Sequence, residues 1–399
     1  MSLDSRRSTL ALLALAISAF AIGTTEFISV GLLPLIADDL NISVTTAGLT
    51  VTLYALGVTF GAPVLTSLTA SVSRKILLLS LMVLFIAGNS MAAAAGGIGL
   101  LLAARVISAL AHGLFMSIAS TIAADLVPGD RRASAISMMF TGLTVATVTG
   151  VPLGTFLGQQ LSWRAAFLAI AATGIIALAA NLLLVPSGLR KGSRTPLRGQ
   201  VKLVTNGRLL LAFAITALGY GGTFVVFTYL SPLLHEISGF RESTVAVILL
   251  LYGIAIAVGN VIGGKAANRK PLNALFYMFA LQAAVLLIFT FTAPFKTAAL
   301  VTIFFMGLLA FMNVPGLQVY VVMLAERFAP EARDIASAVN IVAFNAGIAI
   351  GAYLGGLVTS HLGLIHTAWA GAVMVFGAVL LTAWSRALEQ RDERALTKV

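Results

Sequence analysis

The sequence has no cysteine, so neither a disulfide bond nor a thiolate metal site can form. Charged residues are also scarce. They make up 10% of the 399 residues, whereas soluble domains carry about 25%. Hydrophobic residues reach 59% and the mean hydropathy is +1.02. This composition excludes a water-soluble globule and predicts an all-α integral membrane protein that contacts the lipid bilayer.

Several kinds of chemistry have no signature in the chain. A Walker-type phosphate loop is missing, so ATP is not the expected energy source. The four histidines lack metal-ligand spacing, and no serine stands in a recognisable arrangement with His and Asp. The net charge is +11, but the basic residues occur in short clusters between apolar runs rather than in one patch. We therefore expect no cofactor, no metal, no nucleic-acid partner and no enzymatic activity.

Twelve apolar runs are long enough to cross a bilayer, which takes about 20 residues each. Charges, glycines and prolines mark their ends. The predicted helices span residues 10–36, 46–70, 76–96, 98–123, 134–158, 164–186, 209–233, 244–264, 272–292, 297–324, 334–359 and 364–385. The first run follows a basic start and resembles a signal peptide. It is too long and lacks a small-residue cleavage site, so we interpret it as a retained first span.

The basic residues predict the orientation of these helices. Placing both termini in the cytoplasm puts 21 of the 25 Lys and Arg residues on that side. The remaining four are Arg105, Arg164, Arg241 and Lys296. Cytoplasmic loops of membrane proteins carry such an excess of basic residues. The asymmetry favours an even number of crossings, with the N and C termini cytoplasmic.

The chain also divides into two similar halves. Residues 187–208 form the longest polar interval and separate six helices, in residues 1–186, from six helices and a cytoplasmic tail, in residues 209–399. At an offset of 198, residues 16–61 and 214–259 share eleven identities in 46 positions, including Pro34 with Pro232 and Tyr54 with Tyr252. Two parallel six-helix repeats predict a binding site near the midplane where the repeats meet.

One acidic residue is placed differently from the other thirteen. Glu26 alone lies well inside a predicted span, and an intramembrane carboxylate is costly enough to suggest a function. At about 1.5 Å per residue, Glu26 and Arg105 of the fourth helix lie at similar depth. We expect them to face each other or a shared aqueous cavity, where Glu26 can exchange a proton. A permanent structural ion pair is the alternative. His112, two turns beyond Arg105, either relays protons or packs against a neighbouring backbone carbonyl or Thr.

The most specific stretches of the sequence are residues 23–27 with 31–34, Arg105 with residues 111–113, and residues 150–154 with 162–164. They resemble the major facilitator superfamily, specifically its twelve-helix drug:proton antiporter branch, which includes sugar, arabinose, nucleoside and chloramphenicol exporters. The resemblance covers nearly the whole chain. It implies the major facilitator fold, alternating access and proton-coupled export.

The same resemblance implies residues that take part in conformational change. They are Arg74, Gly150, Pro152, Gly154, Gly264 and Arg269. The loop between the second and third helices keeps Arg74 but lacks the usual Asp, and its second-half copy has Asn268 at the corresponding position. In the fifth helix, Val151 separates Pro152 from Gly150, which resembles the sugar and arabinose exporter variant more than the standard drug-pump form. This resemblance shifts the expected substrate toward polar small molecules.

Polar residues inside otherwise apolar helices are candidates for substrate contacts, because ligand cavities need a few polar groups among apolar walls. The candidates are Thr25, Tyr220, Thr223, Asn313, Gln318, Asn340 and Asn345. Each of them can instead form a hydrogen bond between helices.

The sequence thus predicts a proton-coupled exporter of a small polar or amphiphilic molecule, such as a sugar, nucleoside or drug. We expect it to be a monomer in the bacterial inner, or cytoplasmic, membrane. One alternative is an uncoupled facilitator or symporter in which Glu26 and Arg105 form a structural ion pair. A remote alternative is a membrane enzyme that modifies lipids, with His112 as the base.

Overall fold

The computed structural model describes residues 5–69, 72–128, 132–187, 189, 201, 203, 205–267, 270–330 and 333–396. Regular structure in these residues is entirely helical. Most of the predicted linker at 187–208 lies outside the described residues, as does Arg269.

Twelve helices of the described part are long and apolar enough to span a membrane, which confirms the predicted number. In the first half they are α1 (Ser5–Asp39), α2 (Val44–Leu68), α3 (Arg74–Ala93), α4 (Ile98–Asp125), α5 (Arg132–Val145, Ala146–Gly150 and Val151–Gln160) and α6 (Trp163–Leu184). In the second half they are α7 (Gly207–Phe227, Leu230–Pro232 and Leu233–Ile237), α8 (Glu242–Ala267), α9 (Pro271–Thr292), α10 (Lys296–Ala310 and Val314–Phe328), α11 (Arg333–His361) and α12 (His366–Leu396).

Polar side chains define several helix starts. Ser43 accepts a hydrogen bond from the Thr46 amide at the start of α2, and Ser162 does the same for Ala165 at the start of α6. Asn206 accepts from two amides at the start of α7. Each cap satisfies a backbone N–H that has no partner within its helix. The helix boundaries therefore follow from short polar signals between long apolar runs.

Three helices that the sequence predicts as continuous are interrupted next to a proline. In α5 a π-helical turn, Ala146–Gly150, precedes Pro152. The second segment of α7 begins two residues before Pro232, and α10 breaks between Ala310 and Val314, just before Pro315. Proline has no N–H, so the carbonyl four residues earlier loses its helical partner and the turn rearranges.

The chain forms two compact units, which we call unit 1 (residues 1–194 and 242–250) and unit 2 (residues 195–241 and 251–399). In unit 1, α1 packs against α2, α5 and α6, while α4 packs against α2 and α3. In unit 2, α7 is central and packs against α11 and α12, and α9 also packs against α12. The glutamate and arginine singled out in the sequence therefore lie on two helices of one unit.

Gly142 lets the backbones of α1 and α5 come into direct contact. A Cβ added at Gly142 would clash with the Ala16 carbonyl oxygen and lie 2.9 Å from the Phe20 backbone nitrogen. We therefore expect Gly142→Ala to lower the unfolding temperature, because overpacking typically costs about 1–3 kcal/mol. This loss should outweigh the gain of up to about 1 kcal/mol in helix propensity.

Gly99, near the start of α4, provides the matched control. A Cβ added there meets no atom within 4 Å, so Gly99→Ala should leave the unfolding temperature unchanged or raise it. Thermal unfolding of the purified variants in detergent compares the two. Equal stability of both alanine variants would contradict the close α1–α5 contact.

Candidate functional site

Glu26 lies on α1 inside unit 1, and its side chain is buried, with 8% exposure. Its carboxylate forms no hydrogen bond with any described residue and no ion pair within 4.0 Å. A carboxylate in a membrane interior is normally paired or faces water. Glu26 is thus a buried acid that is not fixed by a partner.

Arg105 reaches α1 from α4, but it binds the backbone rather than the Glu26 side chain. Its two terminal nitrogens donate to the carbonyl oxygens of Thr25, at 2.6 Å, and Glu26, at 3.2 Å. Its Nε donates to the Thr50 carbonyl of α2 at 3.2 Å. The hydrogen bond from Arg105 to the Glu26 carbonyl agrees with the expectation that the two residues lie at similar depth. The ion pair that the alternative requires is not formed in this structure.

An aromatic ring completes the surroundings of Arg105. The guanidinium carbon lies 4.1 Å from the centre of the Tyr54 ring, a cation–π distance. The Tyr54 hydroxyl is 3.1 Å from Nδ1 of His112. Tyr54 therefore connects the two basic residues that the sequence singled out. Only its match with Tyr252 in the repeat marked it beforehand.

Thr25, a predicted substrate contact, already has a protein partner. Its hydroxyl donates to Oδ1 of Asn89 on α3 at 2.5 Å, while the Asn89 amide nitrogen donates to the Phe85 carbonyl. The repeat-related Thr223 on α7 likewise contacts an amide, Gln282 on α9. In both units a threonine of the first helix therefore binds an amide of the third. Asn89 and Gln282 were not predicted, because the ungapped repeat comparison ended before the third helix.

The remaining substrate candidates separate into two groups in unit 2. Asn340 accepts from Thr216 at 2.8 Å and donates to Gln318 at 3.3 Å, so these residues form a network of their own. Asn313 donates to Gln282 at 3.0 Å and Asn345 donates to the Ile341 carbonyl at 3.0 Å. The side-chain oxygens of Asn313 and Asn345 have no partner in the described structure.

Tyr220 lies in an aromatic cluster. Its ring centre is 5.2 Å from that of Phe311 and 4.8 Å from that of Phe344, both in edge-to-face geometry. This arrangement is the one that aromatic quadrupoles favour. The cluster brings α7, α10 and α11 together.

The conformational candidates occupy helix contacts. An added Cβ at Gly150 would clash with Thr24 of α1, and one at Gly154 would clash with Ile28. Pro152 lies between them, directly after the π-helical turn. Gly264 on α8 faces Pro315 on α10, at 3.8 Å from an added Cβ.

Arg74 forms an ion pair that the sequence did not predict. At the start of α3 it pairs with Asp125, at the end of α4. The loop between α2 and α3 lacks the usual Asp, and Asp125 of α4 provides a carboxylate for Arg74 instead. The neighbouring Lys75 donates to the carbonyls of Leu182 and Val185 at the end of α6. Together they connect the ends of three helices in unit 1.

The other end of unit 1 has a corresponding cluster. Arg164 pairs with Asp39 at 2.6 Å and donates to the Ala95 carbonyl at 2.9 Å. The Trp163 indole donates to the same carboxylate at 3.1 Å. Among the described residues, no group of His, Asp or Glu side chains is placed to hold a metal ion.

Comparisons with known proteins identify the family of this chain. Residues 15–325 match the model of the Major Facilitator Superfamily. The MFS-type transporter YtbD of Bacillus subtilis is 74% identical over 96% of this chain and 97% of its own. A chloramphenicol resistance protein of Streptomyces lividans is 34% identical over 92% of this chain and 94% of its own.

A solved structure supports the fold. The inward-facing, occupied form of a bacterial homologue of the human lysosomal transporter Spinster has a TM-score of 0.74 at 17% identity, and the match covers 96% of this chain and 98% of that one. The chain therefore belongs to the Major Facilitator Superfamily, and it is a multi-pass membrane transporter rather than an enzyme.

Proposed function

We propose that this transporter exports a small polar or amphiphilic molecule in exchange for protons, with Glu26 as the proton carrier. The observation that carries the proposal is the state of the Glu26 carboxylate, which is buried and has no ion-pair partner among the described residues. A carboxylate held in a permanent ion pair would resist protonation. One without such a partner can bind a proton on one side of the membrane and release it on the other.

Arg105 supports this cycle through the α1 backbone. Its guanidinium satisfies the carbonyls of Thr25 and Glu26, so it fixes the helical turn that carries the carboxylate. Because the fork of an arginine donates in fixed directions, it restrains the position of that turn while the Glu26 side chain remains available for protons. Tyr54 and His112 extend the polar contacts from Arg105.

The export direction is supported by a relative whose name assigns it to chloramphenicol resistance. Entry of one proton gains about 2.3 kcal/mol per 100 mV of membrane potential. This is enough for a roughly fiftyfold substrate gradient at that potential. The excess of basic residues on one side supports cytoplasmic termini in a bacterial cytoplasmic membrane.

The uncoupled facilitator or symporter is the second candidate function. It requires a structural ion pair between Glu26 and Arg105, and the backbone contacts of Arg105 speak against that role. We also propose that residues 187–208 link the two six-helix domains and that the transporter is a monomer.

Proteoliposomes that contain the purified transporter and a pH-sensitive dye test the coupling. With an imposed proton gradient, addition of a substrate should release protons across the membrane. Chloramphenicol, uridine, arabinose and glucose are suitable probes for the polar classes. We expect at least one to move protons in protein-containing vesicles and not in empty ones. Carrier-mediated probe transport that leaves the proton gradient unchanged would contradict the proposal.

A further inference from the structure

Two kinds of contact hold the Arg105 side chain in place. Its nitrogens donate to the backbone carbonyls of Thr25, Glu26 and Thr50. The N–H groups of a guanidinium lie in its plane, so these bonds fix its edge. The guanidinium carbon also lies over the Tyr54 ring, at 4.1 Å from the ring centre. The ring therefore adds an attraction that uses none of the N–H donors.

Tyr54 is itself fixed between α2 and α4. It is 1% exposed, and its hydroxyl lies 3.1 Å from Nδ1 of His112. Tyr54 and Val58 of α2 form a buried cluster with Ala109 of α4. The helices are in close contact there, because a Cβ added at Gly57 would lie 2.7 Å from the Ala109 Cβ. The ring thus meets Arg105 from a defined position.

Glu26 is the competing partner for Arg105. Among the described side chains of α1 to α6, it is the only acid that lies away from a helix end. Arg105 already binds the backbone carbonyl of this residue. Arginine bonds to carboxylates are about twice as strong as neutral hydrogen bonds, yet no ion pair with Glu26 is formed within 4.0 Å. The Tyr54 ring is the nearest aromatic contact of the guanidinium in its observed position, since Phe167 lies farther away at 5.9 Å.

The second repeat shows which contacts of Tyr54 belong to the shared scaffold. Tyr252 of α8 occupies the corresponding position and is 2% exposed. Its ring stacks on Phe227 at 5.1 Å, and its hydroxyl has no partner in the described structure. In the described part of α10, which corresponds to α4, Lys and Arg occur only near the helix ends. A buried tyrosine is therefore common to both units, whereas its contact with a buried arginine is particular to unit 1.

We propose that Tyr54 is a positioning residue for proton coupling: its ring holds Arg105 on the carbonyls of α1 and α2 and so prevents Arg105 from pairing with the Glu26 carboxylate. The proposal rests on the proposed antiport, in which Glu26 must bind and release a proton. Without the attraction of the ring, the ion pair forms, and a paired carboxylate resists protonation. The hydroxyl bond to His112 sets where the ring lies.

Two replacements of similar shape isolate the attraction of the ring. Tyr54→Phe keeps a ring with a negative face. Replacement of Tyr54 by pentafluorophenylalanine gives a ring with a positive face, because fluorine withdraws electrons, and such a face repels the guanidinium. Each replacement is combined with Glu26→Gln, and the unfolding temperature of the purified full-length transporter is measured in detergent.

The effect of Glu26→Gln is expected to change sign between the two backgrounds. With Tyr54→Phe, it should leave the unfolding temperature unchanged or raise it, because no ion pair is lost. With the fluorinated ring, it should lower the unfolding temperature, because Arg105 then loses a buried ionic partner. A tyrosine that only fills space would give the same effect in both backgrounds.

Tyr252 provides the matched control. No cation–π contact involves its ring among the described residues, so the same two replacements there should give equal effects of Glu26→Gln. If a double variant does not fold, infrared spectra of the single Tyr54 variants decide. At a pH where Tyr54→Phe shows the band of a protonated carboxyl group that Glu26→Gln removes, the fluorinated protein should lack this band.

An equal effect of Glu26→Gln in the two Tyr54 backgrounds would overturn the proposal, and so would a change of sign at Tyr252. Proton movement by the wild-type protein is measured separately in vesicles. The expected stability pattern without proton coupling would refute the antiport alone. Proton coupling without that pattern would refute the role of Tyr54 alone.

Discussion

Replacement of Glu26 by Gln is expected to abolish proton-driven transport and to leave the fold intact. Gln has nearly the same size but cannot carry a proton, and among the described residues the carboxylate forms no hydrogen bond or ion pair that the amide would break. Gradient-driven accumulation in proteoliposomes should fall to the level of empty vesicles. Exchange of substrate down its own gradient, which needs no net proton movement, should persist.

Asp38→Asn is the matched control for this experiment. Asp38 is an exposed carboxylate on the same helix, twelve residues from Glu26. Its replacement should leave gradient-driven transport within about twofold of the wild type, because it removes a charge from a solvated helix end. Full gradient-driven transport by Glu26→Gln would refute the assignment of Glu26 as the proton carrier.

Replacement of Arg105 by Lys is expected to impair both stability and transport, although it keeps the positive charge. A single ammonium cannot reproduce the three bonds of the guanidinium to the carbonyls of Thr25, Glu26 and Thr50. Each lost bond to a charged donor is worth about 1.5–3 kcal/mol. Thermal unfolding in detergent should therefore show a clear loss of stability.

A variant that combines Arg105→Lys with Glu26→Gln tests whether Arg105 acts as the counter-ion of Glu26. If Arg105 acts on the backbone, the stability losses of Arg105→Lys and Glu26→Gln should add. Coupling well above about 0.5 kcal/mol would instead show that the two side chains interact directly. Arg164→Lys is the control, since its ion pair with Asp39 is partly exposed and such pairs contribute about 1 kcal/mol or less.

The number and approximate limits of the helices were predictable from the sequence. Each span needs a long apolar run, because lipid leaves unpaired backbone groups unsatisfied, and that requirement is visible without tertiary contacts. The interruptions in α5, α7 and α10 were missed. Pro232 and Pro315 were visible, but proline is tolerated within a membrane helix whenever neighbouring groups satisfy the freed carbonyls.

The sequence pointed to Glu26 and Arg105 of the candidate site, but not to most of the residues that surround them. Glu26 and Arg105 stood out because an ionisable residue in a span is rare and costly. Tyr54, Asn89 and Gln282 carried no comparable signal, since tyrosine and amides are common in helix contacts.

By itself, the sequence determined that the chain is a twelve-helix membrane protein with one acidic residue deep in its spans. These properties depend on composition and on distance along a helix, which a linear sequence contains. Only the tertiary structure decided that Arg105 binds carbonyls of α1 and α2, that Asp125 pairs with Arg74, and that Thr25 and Thr223 bind the amides Asn89 and Gln282. Such pairings depend on which helix faces meet and at which height, and no local pattern in the chain specifies either.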